Sequence, residues 1–185
     1  VHCARMGPTA QRIADVGVII DLAIHEIDVL KHIIDSRIKR VYAETAQRIH
    51  SNHEDLLIGT IRFENSVLGV INSNWRTPKI VREISVAGEN GMIVADYFKQ
   101  EMFFYENEFV KKKLEHKFYS MMVLQGNREE IKIKNQEPLR NELEAFAESI
   151  LKNKPVPITG QEGLEALDIA QKFLESSKKN EVINL

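Results

Sequence analysis

Apolar residues recur at helical spacing between Ile20 and Ile34, with Ile20, Ala23, Ile24, Ile27, Leu30 and Ile34 on one flank and Leu22, Val29 and Ile33 nearly opposite. At about 100° per residue this predicts a helix with two apolar flanks. Between the flanks Asp21, His25, Asp28 and His32 follow at steps of four, three and four, within about 60° of one another. A surface helix shows one apolar and one polar side. Two apolar flanks imply packing on both, so the ionisable stripe is expected in partly enclosed surroundings. There a charge is costly unless it is paired, bound or used.

Beyond Arg37 the period drops to two and β-branched residues become frequent. The pattern predicts strands over residues 39–49, 56–63, 67–75, 80–87, 92–97 and 101–105. Breakers at residues 51–52, 64–66, 77–78 and 88–91 separate them, and turns this tight join antiparallel neighbours. Mixed positions such as Thr60, Arg62, Asn72 and Ser73 suit an open sheet with helices on one face. Residues 1–17 show no period and read as an extended lead-in. Residues 107–138 predict a loop excursion and then a last strand at 130–133 that rejoins the sheet. Two amphipathic helices close the chain, over 139–151 (Leu143, Phe146, Ala147, Ile150) and 163–177 (Leu164, Leu167, Ala170, Phe173, Leu174). Pro155 and Pro157 bar a continuous helix between them. The expected fold class is α+β: one domain over residues 1–185 with an open, mostly antiparallel sheet and helices packed on one face.

With 185 residues and 43% hydrophobic content the chain can fill a single core. A formal net charge of -2 offers no whole-molecule attraction for nucleic acid or anionic membrane. The run Lys111, Lys112, Lys113 lacks interleaved aromatics on a basic face and reads as a solvated turn. Cys3 is the single cysteine, so an internal disulfide and a Cys-rich metal site are excluded and a reducing compartment is favoured. No apolar run approaches the roughly 20 residues of a membrane span and no signal-peptide pattern opens the chain. A cytoplasmic location is expected. The chain opens on Val1 rather than Met, as a piece of a longer protein would.

Asp21 lies one turn before His25 on the same helix face, where a carboxylate can orient an imidazole and raise its basicity for acid/base work near neutral pH. A capping Asp and a satisfied core histidine are the structural alternative. Asp21, His25 and Asp28 as metal ligands are a rival chemistry, but one helix usually supplies two ligands where about three must converge. His2, Cys3, His50 and His53 share no compact ligand motif with them. Arg5, Arg12, Arg76 and Lys79 stand at segment ends or near breakers, where a guanidinium fork or an ammonium suits phosphate or carboxylate. Trp75 reads as core or interface packing. Gly88-x-x-Gly91 and Gly160-x-x-Gly163 lack the spacing of a G-x-G-x-x-G loop, and neither a P-loop nor G-x-S-x-G occurs. This chain has no nucleotide-binding motif of its own.

The string Asp15-Val16-Gly17-Val18-Ile19-Ile20-Asp21-Leu22-Ala23-Ile24-His25-Glu26-Ile27-Asp28 resembles the D-x-G-x-x-x-D-x-x-x-H-x-x-D signature of the glucose-fructose oxidoreductase, inositol dehydrogenase and MocA (Gfo/Idh/MocA) family. Trp75-Arg76-Thr77-Pro78, Arg82-Glu83-Ile84-Ser85-Val86-Ala87-Gly88, Glu137-Pro138-Leu139 with Phe146, and Lys154-Pro155-Val156-Pro157 extend the likeness over nearly the whole chain. The resemblance is to the family's second domain, an open sheet of the glyceraldehyde-3-phosphate dehydrogenase C-terminal type. The N-terminal Rossmann domain is absent from this chain, and residues 1–18 would lead in from it. It implies the substrate-binding and oligomerisation half of an NAD(P)-dependent sugar or sugar-nucleotide dehydrogenase, inactive by itself. NAD or NADP would be held mainly by the Rossmann half, with no cofactor-binding or metal residues here. His25 would be the acid/base, Asp21 its neighbour at the substrate, and Asp28 a supporting member of the motif, grouped with Arg12 and Arg76 as substrate-side residues. His32 lies outside the motif and reads as packing. The lead-in Met6-Gly7-Pro8 with Arg12 resembles the sugar-nucleotide branch, including UDP-N-acetylglucosamine 3-dehydrogenases. A homodimer or homotetramer through the sheet face, at residues such as Leu68, Val70 and Ile71, is expected. A non-catalytic assembly module of the same fold is the alternative.

Overall fold

Along Leu56–Phe63 the residues Leu57, Gly59, Ile61 and Phe63 are buried while Ile58 and Thr60 are exposed, the alternation that a sheet covered on one side imposes. The computed structural model describes residues 1–8, 15–48, 52–113 and 119–185. In chain order its elements are β1 (His2–Pro8), a π-helical turn (Ile19–Ala23), α1 (Ile24–Ile33), β2 (Ile38–Ala46), β3 (Leu56–Phe63), β4 (Leu68–Asn74), β5 (Arg76–Ala87), β6 (Gly91–Asp96), β7 (Glu101–Lys113), β8 (Tyr119–Glu130), α2 (Pro138–Leu151), α3 (Gly160–Lys179) and β9 (Ile183–Asn184). The described strands form one nine-stranded sheet in the order β8-β7-β6-β5-β1-β4-β3-β2-β9. Every pairing is antiparallel except β1 with β4. The fold is therefore α+β with an open, mostly antiparallel sheet.

Helices α1 and α3 pack on each other and on one face of the sheet. They bury Ile19, Ile27, Leu30 and Phe173 against Val41, Leu57, Ile61, Phe63 and Ile71. Gly59 makes room for the Phe173 ring: a Cβ there would lie 2.8 Å from its Cε1. Thr159 and Glu162 start α3 with a reciprocal capping box, and Asn180 ends it in the left-handed region at φ 54°.

Four sequence expectations change. The unpatterned lead-in contains β1, a central strand. Cys3, Arg5 and Gly7 alternate with His2, Ala4 and Met6, and Arg5, on the helix-covered side, breaks the usual rule that inward residues are apolar. Residues 107–138 hold no simple excursion. They complete a long hairpin of β7 and β8, with Phe103 opposite Glu130, and residues 131–137 are irregular. The lysines at 111–113 end β7 rather than forming a turn. Strands at the edge of a sheet and open on both faces impose no apolar alternation, so this region carries no period-two signal. Ile71 is buried beneath the helices, whereas Leu68 is exposed and Val70 half-buried on the open face.

Helix α2 has the expected boundaries but not the expected burial. It makes no extensive contact with any other described element, and its stripe Leu139, Leu143, Phe146 and Ile150 is exposed among the described residues, with Phe146 61% exposed.

Candidate active site

The motif helix does not begin at 100° per residue. Ile24 N–H reaches back to Ile19 O, closing the wider π turn, a local over-count that recurs at functional sites. Val18 offers no capping side chain. Instead Glu54, just before β3, accepts from Ile19 N–H at 3.1 Å, and its carbonyl accepts from Val18 N–H at 2.9 Å. The Glu54 carboxylate fills the place where a Gly17 side chain would stand, which explains why the motif needs glycine there. Gly17→Ala is expected to displace this cap and cost about 1–2 kcal/mol, readable as a lower urea midpoint; an unchanged midpoint would count against the capping role.

Asp21 takes a specific partner: its Oδ2 accepts from Trp75 Nε1 at 3.1 Å. Trp75 is 3% exposed, so it packs in the core as expected and also aims Asp21. No hydrogen bond joins Asp21 to His25 among the described residues. His25 is exposed. Loss of hydration against the protein, then the Arg5 guanidinium, hold its pKa below the usual histidine value, while Glu26, Asp21 and Asp28 pull the other way. The balance favours a neutral ring, ready to accept a proton.

The expected enclosure of the whole stripe does not hold. One flank, with Ile27 and Leu30, is buried, but on the other Val29 is half-buried and Ile33 is 46% exposed. His32 is exposed rather than packed, on the rim of a groove of about 920 Å³ shared with Lys31, Asp35, Gln161 and Asp168. Asp28 is half-buried in an adjoining groove with Val29, Ile158 and Glu162. Arg76 is engaged in the protein: its Nε donates to Asp55 Oδ1 at 2.7 Å and its Nη2 donates to the same oxygen. Arg12 and His50 lie outside the described residues. Among the described residues no three His, Cys, Asp or Glu side chains converge as a metal site requires, and no helix is long and apolar enough to cross a membrane.

Sequence reasoning passed over Glu26. It is fully buried and receives Arg5 Nε at 2.5 Å, leaving Oε2 without a partner. Cys3 lies on the same side of β1; burial, then the Glu26 charge, push its thiol up to about 12. Tyr97 completes the cluster. Burial, then Glu26, raise its pKa, and its hydroxyl is buried without a partner. The available signal was the inward charge on an otherwise apolar helix: Glu26 falls on the same flank as Ile19, Ala23 and Leu30.

A family model described as the C-terminal alpha/beta domain of an oxidoreductase family, the Gfo/Idh/MocA group, matches residues 9–185. The chain is 29% identical over 167 residues to the uncharacterized oxidoreductase YrbE of Bacillus subtilis, covering 86% of this chain and 46% of that protein. Among solved structures, UDP-N-acetylglucosamine 3-dehydrogenase GnnA from Acidithiobacillus ferrooxidans superposes with a TM-score of 0.80 at 17% identity, over 96% of this chain and 54% of that one. Levoglucosan dehydrogenase in complex with NADH and L-sorbose gives 0.74 at 16%, over 99% and 57%. At these identities the structural likeness establishes the fold. The chain spans about half the length of the relatives it matches. It belongs to the Gfo/Idh/MocA oxidoreductase family, as that family's C-terminal alpha/beta domain.

Proposed function

We propose that this chain is the substrate-side and oligomerisation half of an NAD(P)-dependent dehydrogenase acting on a sugar or sugar nucleotide. The observation that carries the reading is His25: a solvent-accessible imidazole in the family motif, biased toward its neutral form. In the oxidative direction a substrate hydroxyl gives its proton to a neutral His25 nitrogen, and the C–O bond becomes a carbonyl as the hydride leaves the same carbon. Asp21, aimed by Trp75, would accept a neighbouring hydroxyl. The residues present suit the carbinol and not a dinucleotide, since the sequence has no glycine-rich phosphate loop. Nicotinamide held by a separate dinucleotide-binding domain would supply the hydride acceptor. The NADH of the levoglucosan dehydrogenase complex supports that cofactor class, and GnnA supports a sugar nucleotide as one candidate substrate.

The uncovered stripe of α2 fits the same reading. Four apolar residues with nothing on them among the described residues form a seat, and the occupant we assign is an N-terminal dinucleotide-binding half. The test is the protein encoded by the reading frame continuing upstream of Val1, purified and offered NAD⁺ or NADP⁺ with a panel of sugars and sugar nucleotides. Reduced nicotinamide should accumulate with at least one. A frame with no dinucleotide-binding domain would instead support an assembly module.

The open sheet face, with Ile58, Leu68 and Val70 among polar neighbours, is assigned to a second copy. Sedimentation at tens of micromolar, roughly the range of a weak interface, should show a dimer or larger. A clean monomer would remove this part of the proposal.

A further inference from the structure

Arg5 and Arg82 are direct partners across β1 and β5, on the side of the sheet that carries α1. Glu26 occupies Arg5 Nε, and the two terminal guanidinium nitrogens of Arg5 have no protein partner among the described residues. Arg82 Nη1 donates to the carbonyls of Met6 at 2.7 Å and Val81 at 2.9 Å. It lies beside Gly7, where even a Cβ would stand 3.9 Å away. Among the described residues no carboxylate pairs with Arg82. Arg5 is paired directly with Glu26, and the Asp21 carboxylate is hydrogen-bonded to the neutral Trp75 indole, so Arg82 carries its charge without a directly contacting counter-ion. Burial and then Arg5 lower the pKa of Arg82, with Glu26 and Asp21 opposing; its charge is therefore under strain in the free protein. Ser73, which pairs with Arg5 on the other side of β1, keeps a fully buried hydroxyl without a partner.

Two planar forks placed side by side, one fixed by an acid and one held only by carbonyls, match the geometry of a bound oxyanion. We propose that Arg5 and Arg82 form an anion subsite next to His25, so that the substrate is a sugar bearing a carboxylate or phosphate group near its reacting carbinol. The inference rests on the reading of His25 as part of a sugar site, and it deepens that reading by giving the substrate a charge. The charges that act on His25 are Arg5 from β1, which lowers its pKa, and Glu26, Asp21 and Asp28 from its own helical segment, which raise it. An anion between the two arginines would offset Arg5 and make the imidazole more basic once substrate binds.

The experiment follows the His25 ring resonances of this chain by NMR during titration with D-glucuronate, D-glucose 6-phosphate and D-glucose. At least one anionic sugar should bind roughly tenfold or more tightly than glucose, and the tighter of the two identifies carboxylate or phosphate as the preferred group. Arg82→Gln should bring both anionic sugars down to the affinity of glucose. Arg5→Met by itself would strand Glu26, so the Arg5 arm uses the double variant Arg5→Met, Glu26→Gln, with its thermal transition recorded as the check on folding. It too should lose the preference. Equal affinities for all three sugars, or a preference that survives Arg82→Gln, would overturn the anion subsite and leave the sugar reading standing. Silence from every probe would overturn both.

Discussion

Hydride transfer should fall by roughly 10²- to 10⁴-fold when His25 becomes alanine in the proposed two-domain dehydrogenase, while its NADH affinity changes by less than about threefold. The imbalance follows from where His25 sits. It is exposed on the motif helix, takes no part in the buried core, and belongs to a sequence without a dinucleotide loop. For the same reason His25→Ala should leave stability within about 0.5 kcal/mol of the parent, so lost activity cannot be charged to unfolding. The pH profile separates a proton acceptor from a passive neighbour. Loss of hydration and Arg5 lower the pKa of His25, so the neutral ring persists below the ordinary histidine value of about 6.5. A base works only when neutral, so the rate of oxidation should rise with pH through a midpoint below that value and then level off. His25→Ala should lose this acid limb. Retained turnover with the limb intact would remove His25 from the chemistry.

Sequence made the antiparallel core legible because β2, β3 and β4 are covered on one face only, and burial then imposes period two. It also located the motif helix and the two C-terminal helices. What it hid has physical causes. Arg5 and Glu26 neutralise each other between β1 and α1, so neither obeys the apolar-in rule: β1 lost its pattern and Glu26 drew no reading from the sequence. The hairpin of β7 and β8 has little cover on either face and so shows no alternation. The π turn at Ile19–Ala23 altered the helical wheel on which Asp21 and His25 were aligned, and Asp21 turned out to answer to Trp75, 54 residues away, a contact that no local spacing encodes. The apolar stripe of α2 was legible as helical periodicity, but among the described residues it is left uncovered.

Asp55→Ala should cost the domain about 3–5 kcal/mol, the usual result of removing one member of a buried ion pair. Asp55 is 1% exposed and ties three segments together. Its Oδ1 accepts from Arg76 Nε and Nη2, its Oδ2 from Arg48 N–H at 2.9 Å, and its own N–H and C=O meet Ala46 and Trp75 at 2.9 and 3.0 Å. Without the carboxylate, the Arg76 guanidinium is left half-buried with no counter-charge and the Arg48 amide loses its acceptor. Asp55→Asn, which keeps the shape and part of the hydrogen bonding, should lose less. The measurement is urea unfolding, with the midpoint falling and the slope unchanged; a loss below about 1 kcal/mol would show that the pair is dispensable. The effect should reach the site, because Trp75 is joined to Asp55 through its backbone and to Asp21 through its indole. A double-mutant cycle of Asp55→Ala with Arg76→Ala then decides what Arg76 is for. If Arg76 serves the fold, the double variant is hardly less stable than Asp55→Ala, since the second change relieves a stranded charge. If it serves the substrate instead, Arg76→Ala by itself weakens sugar binding and leaves the urea midpoint in place. The fork already closed on Asp55 favours the first outcome.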